Sequence, residues 1–192
     1  MRKITAGLFI SLDGVVEAPE TWHFDYFNDE MGEAVGGPMA TSDAMLLGRN
    51  TYEAFAGYWP GQPSDVPPSD WMNGVHHYVV SNTLEKGTWE PTTIIAGDIK
   101  AQIEAIKAGP GQDIQVIGSP SLVASLIDMR VLDELSLLVH PVVVGKGKRL
   151  FDPSPFGPKV LSPLKLVSSN TFSTGVLHNV YGLADAPATD AA

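Results

Sequence analysis

The stretch MLLGRNTYEAF, at residues 45–55, joins a buried strand to the start of a helix. Its first part is a continuous apolar run, which is typical of a strand covered on both faces of a sheet. The run ends at Gly48, Arg49 follows, and a helix begins at Asn50 or Thr51. Free N–H groups at a helix start favour a phosphate, and arginine adds a planar, permanently charged set of donors. The stretch predicts an α/β unit with an anion site at its junction, although a turn followed by a solvated arginine fits the same residues.

Short apolar runs and helical patterns alternate along most of the chain. Strands are predicted at 3–10, 44–48, 77–81, 93–96 and 114–118. Helices are predicted at 24–40, 50–57, 98–108 and 120–129. The last third changes to longer strands at 134–144, 160–170 and 175–182, the last two joined by a hairpin at TFSTG, residues 171–175. This order predicts an α/β fold with a mostly parallel sheet, helices on its faces and an antiparallel edge.

Two further junctions repeat the first one. In VVSNTL, residues 79–84, a strand runs into three small polar side chains. In VIGSPSLVASL, residues 116–126, a strand ends at Gly118 and a turn of small residues enters a helix. Ligands of open α/β sheets lie at the carboxyl ends of the strands, so the three junctions predict one binding edge. The GSPS turn lacks the spacing of GxGxxG, of a P-loop and of GxSxG, so a serine hydrolase elbow is not expected.

Length and composition narrow the class of protein. The chain has 192 residues, which fits one domain, and 12 Lys and Arg against 22 Asp and Glu give a net charge of −10. A protein this acidic is not expected to bind nucleic acid or an anionic membrane, because their phosphates need a basic face. Cysteine is absent, which excludes disulfides, thiolate catalysis and cysteine-ligated metals. We expect a domain at 1–183, a surface loop at 65–69 and a disordered tail at 184–192.

The N-terminus partly resembles a signal peptide. Arg2 and Lys3 precede the apolar run ITAGLFISL, but Asp13 and Glu17 interrupt the pattern. We therefore predict a first buried strand, a cytoplasmic location and no membrane segment.

The five histidines lack HExxH spacing, so no metal site is predicted. His140, before Pro141, is expected to be a core or interface residue.

Five motifs in order make the chain similar to a known family. They are FISLDGVVEAP at 9–19, LLGRNTYEAF at 46–55, YVVSNTL at 78–84, IQVIGSPSLVASLI at 114–127 and LDELSLLVHPVVVGKGKRLF at 132–151. With them the chain resembles the dihydrofolate reductase-like superfamily, most closely the branch of the RibD C-terminal domain, over residues 3–183. The resemblance implies an eight-stranded sheet flanked by four helices, hydride transfer, and NADPH as cofactor in preference to NADH.

The resemblance also implies roles for residues. Arg49 and Thr51 would serve the cofactor phosphates beside Gly48, and the loop 11–14 would cover the nicotinamide. The residues implied in cofactor binding are Ser11, Gly14, Gly48, Arg49, Thr51, Ser81, Asn82, Thr83, Gly118, Ser119, Pro120, Ser121 and Leu122. Phe55 would line the substrate side. Independently of the resemblance, Trp22 and the segment GYWP at 57–60 are candidates for the wall of a substrate cleft, with ordinary packing as an equal alternative. Asn82 and Pro120 depart from the family pattern, which often has arginine and glycine at these positions.

The proton donor is left open by the sequence. Folate reductases hold their substrate with a carboxylate on the first helix, and the candidates here are Asp13, Asp25 and Glu17, with Asp29 as a further one. A carboxylate in an aromatic pocket would have a raised pKa and could act as the acid. Each of three candidates also has a purely structural explanation. Asp13 is a turn residue, Asp25 is a favourable charge at the start of a helix, and Glu17 is a surface residue.

The function expected from the resemblance is reduction of a small substrate. That substrate is a small heterocycle, pterin-like or pyrimidine-like, or a carbonyl compound, and the partner is a second copy of the chain in a homodimer. One alternative is a 5-amino-6-(ribosylamino)uracil-phosphate-type reductase of riboflavin biosynthesis, for which only the basic cluster at 145–149 offers a phosphate site. Others are a non-catalytic nucleotide-binding protein of the same fold and an oligomeric scaffold with a dead site.

Overall fold

A computed structural model describes residues 1–151 and 162–184. The eight strands are β1 (Ile4–Ser11), β2 (Ser42–Gly48), β3 (His76–Val80), β4 (Thr92–Ile95), β5 (Asp113–Ile117), β6 (Glu134–His140), β7 (Leu164–Thr171) and β8 (Leu177–Leu183). The α-helices are α1 (Asp29–Ala40), α2 (Arg49–Ala56), α3 (Ser69–Gly74), α4 (Ile99–Ala108) and α5 (Pro120–Asp128). No helix in the described part of the chain is long and apolar enough to cross a membrane.

All eight strands form one sheet in the order β4-β3-β2-β5-β1-β6-β8-β7. The pairs from β4 to β6 are parallel, and β8 pairs antiparallel with both β6 and β7. This confirms the predicted α/β fold with an antiparallel C-terminal edge. Six parallel strands place their carboxyl ends along one edge, where the predicted junctions lie.

Three element predictions need correction. The helix predicted over 24–40 is a 3-10 turn at Phe24–Tyr26 followed by α1, because the Asn28 side chain accepts a hydrogen bond from Met31 N–H (3.0 Å) and caps the helix there. The strand predicted to reach 144 ends at His140, since Pro141 has no N–H for the ladder. The loop predicted at 65–69 runs into α3, so the described residues contain five α-helices, against the four that the resemblance implies. The predicted tail and the start of the strand at 160–170 fall largely outside the described residues.

The two faces of the sheet carry different cores. Helices α4 and α5 cover one face through Ile103, Val123 and Leu126, which pack on Ile4, Ala6 and Leu8 of β1. On the other face, α2 and α3 pack over Met45 and Leu47 of β2, and α1 forms a separate cluster around Met31 and Leu138. The opposite face therefore has two cores, one under α2 and α3 and the other under α1.

Tyr52 fixes α2 to the connection between β3 and β4. The side chain is 1 % exposed, and its hydroxyl accepts hydrogen bonds from the N–H groups of Thr88 and Trp89, both at 2.8 Å. It also lies 3.2 Å from Oγ1 of Thr92, at the start of β4. One phenol therefore satisfies two backbone donors and holds the loop on which Trp89 enters the core.

We predict that Tyr52→Phe leaves these two N–H groups without a partner and lowers the free energy of unfolding by about 1–3 kcal/mol. Urea unfolding followed by circular dichroism measures the change. Tyr58→Phe is the matched control, because Tyr58 is 53 % exposed and should lose almost nothing. Equal losses in the two variants would contradict this role for Tyr52.

Candidate functional site

The junctions after β2 and β5 meet at one serine. Ser119 Oγ accepts a hydrogen bond from Gly48 N–H (2.9 Å) and donates to Thr51 Oγ1 (2.7 Å). Gly118 and Ser119 are both left-handed, with φ of 65° and 57°, and this backbone turn aims the serine at α2. The N-termini of α2 and α5 therefore adjoin, and their first-turn N–H groups have no partner within the helix. Two positive helix ends at one place favour an anion.

The junction after β3 joins the same site through Arg49. Its Nη1 donates to Thr83 Oγ1 (2.6 Å), while its Nε donates to Glu53 (2.8 Å). Ser81 closes the turn, because its Oγ accepts from the N–H groups of Thr83 (3.2 Å) and Leu84 (3.0 Å). Asn82 is directed elsewhere, since its Oδ1 accepts from Gly97 N–H (3.1 Å). The structure thus brings Arg49, Ser81 and Thr83 together and leaves Asn82 on the outer side.

The loop after β1 is tied to the segment after β6. Asp13 accepts hydrogen bonds from Ser11 Oγ (2.7 Å) and from the N–H groups of Val144 (3.0 Å) and Gly145 (2.9 Å). The Ser11 hydroxyl, followed by the Val144 N–H, holds the pKa of Asp13 down at about 2. This is the opposite of the raised pKa expected for an acid in an aromatic pocket. The geometry is that of a carboxylate that holds a loop together.

The other acid candidates are also on the surface. Glu17 accepts from Lys148 N–H (2.9 Å), Asp25 is exposed in the 3-10 turn, and Asp29 is exposed as the first residue of α1. One side chain of the basic cluster is engaged with the same segment, because the Arg149 Nε donates to the Asp13 carbonyl (2.9 Å). Within residues 1–151 and 162–184, no His, Cys, Asp and Glu side chains come together as a metal site.

A cavity of about 690 Å³ opens between α1, α2 and the sheet. It begins beside Thr51 and Gly118 of the anion junction and continues along the strands toward Thr5 and Gln115. Phe55 is among the residues that line this cavity, whereas Trp22 stands outside the lining and packs edge-on against His140 (ring centroids 5.2 Å apart). The cavity therefore connects the predicted cofactor junction with a largely apolar chamber.

Sequence reasoning missed the polar residues of this chamber. Glu20 and Glu33 line it, and on its floor lie Thr5, Gln115 and Ser136. Glu33 could have been found from the start of α1, which Asn28 caps and two acidic residues follow. This start places Glu33 one turn inside the helix. The signal for Gln115 was a polar residue inside the apolar run IQVIG, which marks one face of an otherwise buried strand.

Two buried histidines lie between the chamber and the loop after β1. The imidazole of His23 stacks on Phe9 at 4.4 Å and lies 6.2 Å from that of His140. Burial lowers the pKa of both histidines, and the nearby His140 lowers that of His23 further. Both rings are therefore neutral in the folded protein at pH 7.

A folded-state pKa below the unfolded value of about 6.5 means that the unfolded chain binds more protons in acid. We predict that stability is constant above about pH 7 and falls as the pH drops below about 6.5. Urea unfolding between about pH 5.5 and 7.5 measures the slope, in a window above the titration of ordinary carboxyl groups. His23→Phe should reduce the slope, because it removes one of these buried imidazoles; an unchanged slope would contradict the assignment.

The fold, the binding edge and the chamber define an α/β domain of the dihydrofolate reductase-like class. The model of the family described as "RibD C-terminal domain" matches residues 2–178. The chain belongs to this family. It is 30% identical over 194 residues to the uncharacterized protein YyaP of Bacillus subtilis (strain 168), with 94% of each chain covered.

Solved structures show the same fold at low sequence identity. A putative riboflavin biosynthesis protein from Shewanella sp. PV-4 superposes with a TM-score of 0.75 at 16% identity, covering 95% of this chain and 99% of that one. The diaminohydroxyphosphoribosylaminopyrimidine deaminase/5-amino-6-(5-phosphoribosylamino)uracil reductase of Thermotoga maritima gives a TM-score of 0.66 at 13% identity. The match covers 95% of this chain and 57% of that protein.

Proposed function

We propose that the protein is an NADPH-dependent reductase that transfers a hydride to a small heterocyclic or carbonyl compound bound in the chamber. The observation that carries the proposal is the continuity of the two sites. Thr51 and Gly118 belong both to the anion junction and to the chamber wall. A dinucleotide with its pyrophosphate at the junction would have its nicotinamide within reach of the chamber.

The residues at the junction fit the parts of this cofactor. The helix start from Gly118 to Leu122 and the start of α2 suit the pyrophosphate, because both present N–H groups to one place. Arg49, Ser81 and Thr83 suit the adenosine 2′-phosphate, which supports NADPH over NADH. Asn82, held by Gly97, contributes no charge there.

The protein's own part in the reaction is position and proton supply. The cofactor when bound supplies the hydride, and addition to C=N or C=O leaves charge that a proton must meet. The Asp13 carboxylate, with its low pKa, keeps the loop 11–14 attached to the segment after β6. Glu33 lines the chamber from α1, whereas Asp13 does not line it. Of the two carboxyl groups, that of Glu33 is therefore the better candidate to pass a proton to a substrate in the chamber, directly or through a water molecule.

The first test is calorimetric titration with NADPH and, separately, NADH. We expect NADPH to bind in the low micromolar range and Arg49→Ala to weaken it at least tenfold, about 1.4 kcal/mol. Arg130→Ala is the matched control, because Arg130 follows the far end of α5 and donates to Ala184 O (2.6 Å). If neither nucleotide binds the wild type, the reductase proposal fails, and binding without turnover would favour the non-catalytic alternative.

We also propose a homodimer through the edge of the sheet, in a cytoplasmic protein. Strand β7 is the terminal strand, and Leu166 and Val167 are 52 % and 62 % exposed on it. An uncovered apolar edge strand is a template for pairing with a second copy.

Light scattering after gel filtration tests the dimer. We expect the wild type to be a dimer and Val167→Lys to shift it toward monomer, because a lysine on the edge opposes strand pairing. Val143→Lys, at a residue 68 % exposed outside the sheet, should leave the mass unchanged. A monomeric wild type would rule out this assembly.

A further inference from the structure

The floor of the chamber contains two polar side-chain oxygens that no group in the described residues satisfies. Thr5 and Gln115 are partners in the parallel register of β1 and β5, and both line the chamber. Gln115 is 4 % exposed. Its Oε1 and the Oγ1 of Thr5 are buried without a hydrogen-bond partner in the described part of the chain.

Unpaired buried polar atoms are rare in proteins, because each loses its hydrogen bonds to water without replacement. The neighbouring polar residues of the floor do not share this state. Ser136 and His178 also line the chamber, but their Oγ and Nε2 atoms lie within 2.9 Å of each other. The unsatisfied groups are therefore confined to one place on the floor.

Glycine at position 7 opens space beside this pair. Gly7 follows Thr5 on the same face of β1, and a Cβ at position 7 would lie 4.0 Å from the Gln115 Nε2. The amide of Gln115 thus lies beside an open part of the floor, where a flat ring can approach it. An amide offers both an acceptor and a donor to such a ring.

Charges around the chamber restrict the ligand further. Glu20, Glu33, Asp113 and Glu134 line it, and Lys3 is the one lysine or arginine that lines it within residues 1–151 and 162–184. The Lys3 ammonium group is already engaged, because its Nζ lies 2.7 Å from Glu134. An anionic ligand would therefore meet carboxylates without a free cation among the described lining residues.

We propose that Gln115 and Thr5 are the specificity-determining residues for an uncharged, flat ligand that presents an N–H or O–H donor to the chamber floor, and that the surrounding carboxylates reject phosphorylated and carboxylated compounds. The inference rests on the proposed function only in taking this ligand as the compound to be reduced. It separates this chain from the riboflavin-type alternative, whose substrate carries a phosphate.

The experiment uses three compounds with one ring system. Benzoyleneurea is neutral and has two N–H donors. Its N,N′-dimethyl derivative has no N–H donor. The third compound is benzoyleneurea with a carboxylate on the benzene ring, which adds a negative charge. Ligand-observed NMR titration of the full chain measures their dissociation constants. We expect benzoyleneurea to bind about tenfold or more tightly than either derivative.

The matched variants are Gln115→Met, which keeps the length of the side chain, and Gln112→Met, on an exposed turn. We expect Gln115→Met to raise the dissociation constant of benzoyleneurea about tenfold or more and to leave that of the dimethyl derivative unchanged. The variant should keep or raise the unfolding temperature. Gln112→Met should change none of these. A purely structural glutamine would instead lower the unfolding temperature without altering the preference among the three compounds.

The inference is overturned if benzoyleneurea does not bind, if the three compounds bind equally, or if Gln115→Met leaves the preference intact. An NADPH titration of the same samples keeps the two proposals apart. If NADPH binds and the three ring compounds bind equally, this inference is overturned and the proposed reductase function stands. Donor-dependent ring binding without NADPH binding supports the inference and overturns the reductase.

Discussion

The parallel register of β4, β3, β2, β5, β1 and β6 is the constraint on which the site depends. Parallel strands need crossover connections, and these connections supply the helices that cover both faces. Because all six strands end at one edge, the turns after β2, β3 and β5 meet although they are far apart in sequence. Ser119 then joins two of these turns by accepting from Gly48 and donating to Thr51. A shift of one residue in the pairing of β2 with β5 would separate these atoms and place the apolar side chains on the wrong faces.

The cleft is electrostatically uneven along its length. At one end, the starts of α2 and α5 and the Arg49 guanidinium favour negative charge. Toward the other end, Glu33, Asp113 and Glu134 line the chamber. In a chain with a net charge of −10, the junction is therefore a local exception to the acidic character of the protein. A polyanionic cofactor and a neutral substrate would find different environments a short distance apart, which limits binding of either in the place of the other.

The strands and the junctions could be predicted from sequence because they depend on local patterns. The runs MLLG and IQVIG and the residues that follow them report burial and a helix start within a few positions. The helix predicted over 24–40 begins too early, because the Asn28 cap sets the start of α1 at Asp29. The chamber could not be predicted from the sequence, because its floor combines alternate residues of β1, β5 and β6, and only the tertiary structure shows how these strands pair. The loss of free hydrogen-bonding capacity at Asp13 depends likewise on N–H groups 131 and 132 residues away in sequence.

The alternation of side chains along β1 separates two requirements that many proteins must meet with the same residues. Ile4, Ala6, Leu8 and Ile10 pack in the core under α4 and α5. Thr5, Gly7 and Phe9 alternate with them and line the chamber, which Ala6 and Leu8 also border. Substitutions at the second set alter the chamber while the principal apolar packing stays intact. A combinatorial library restricted to positions 5, 7 and 115 would therefore yield a high proportion of folded members.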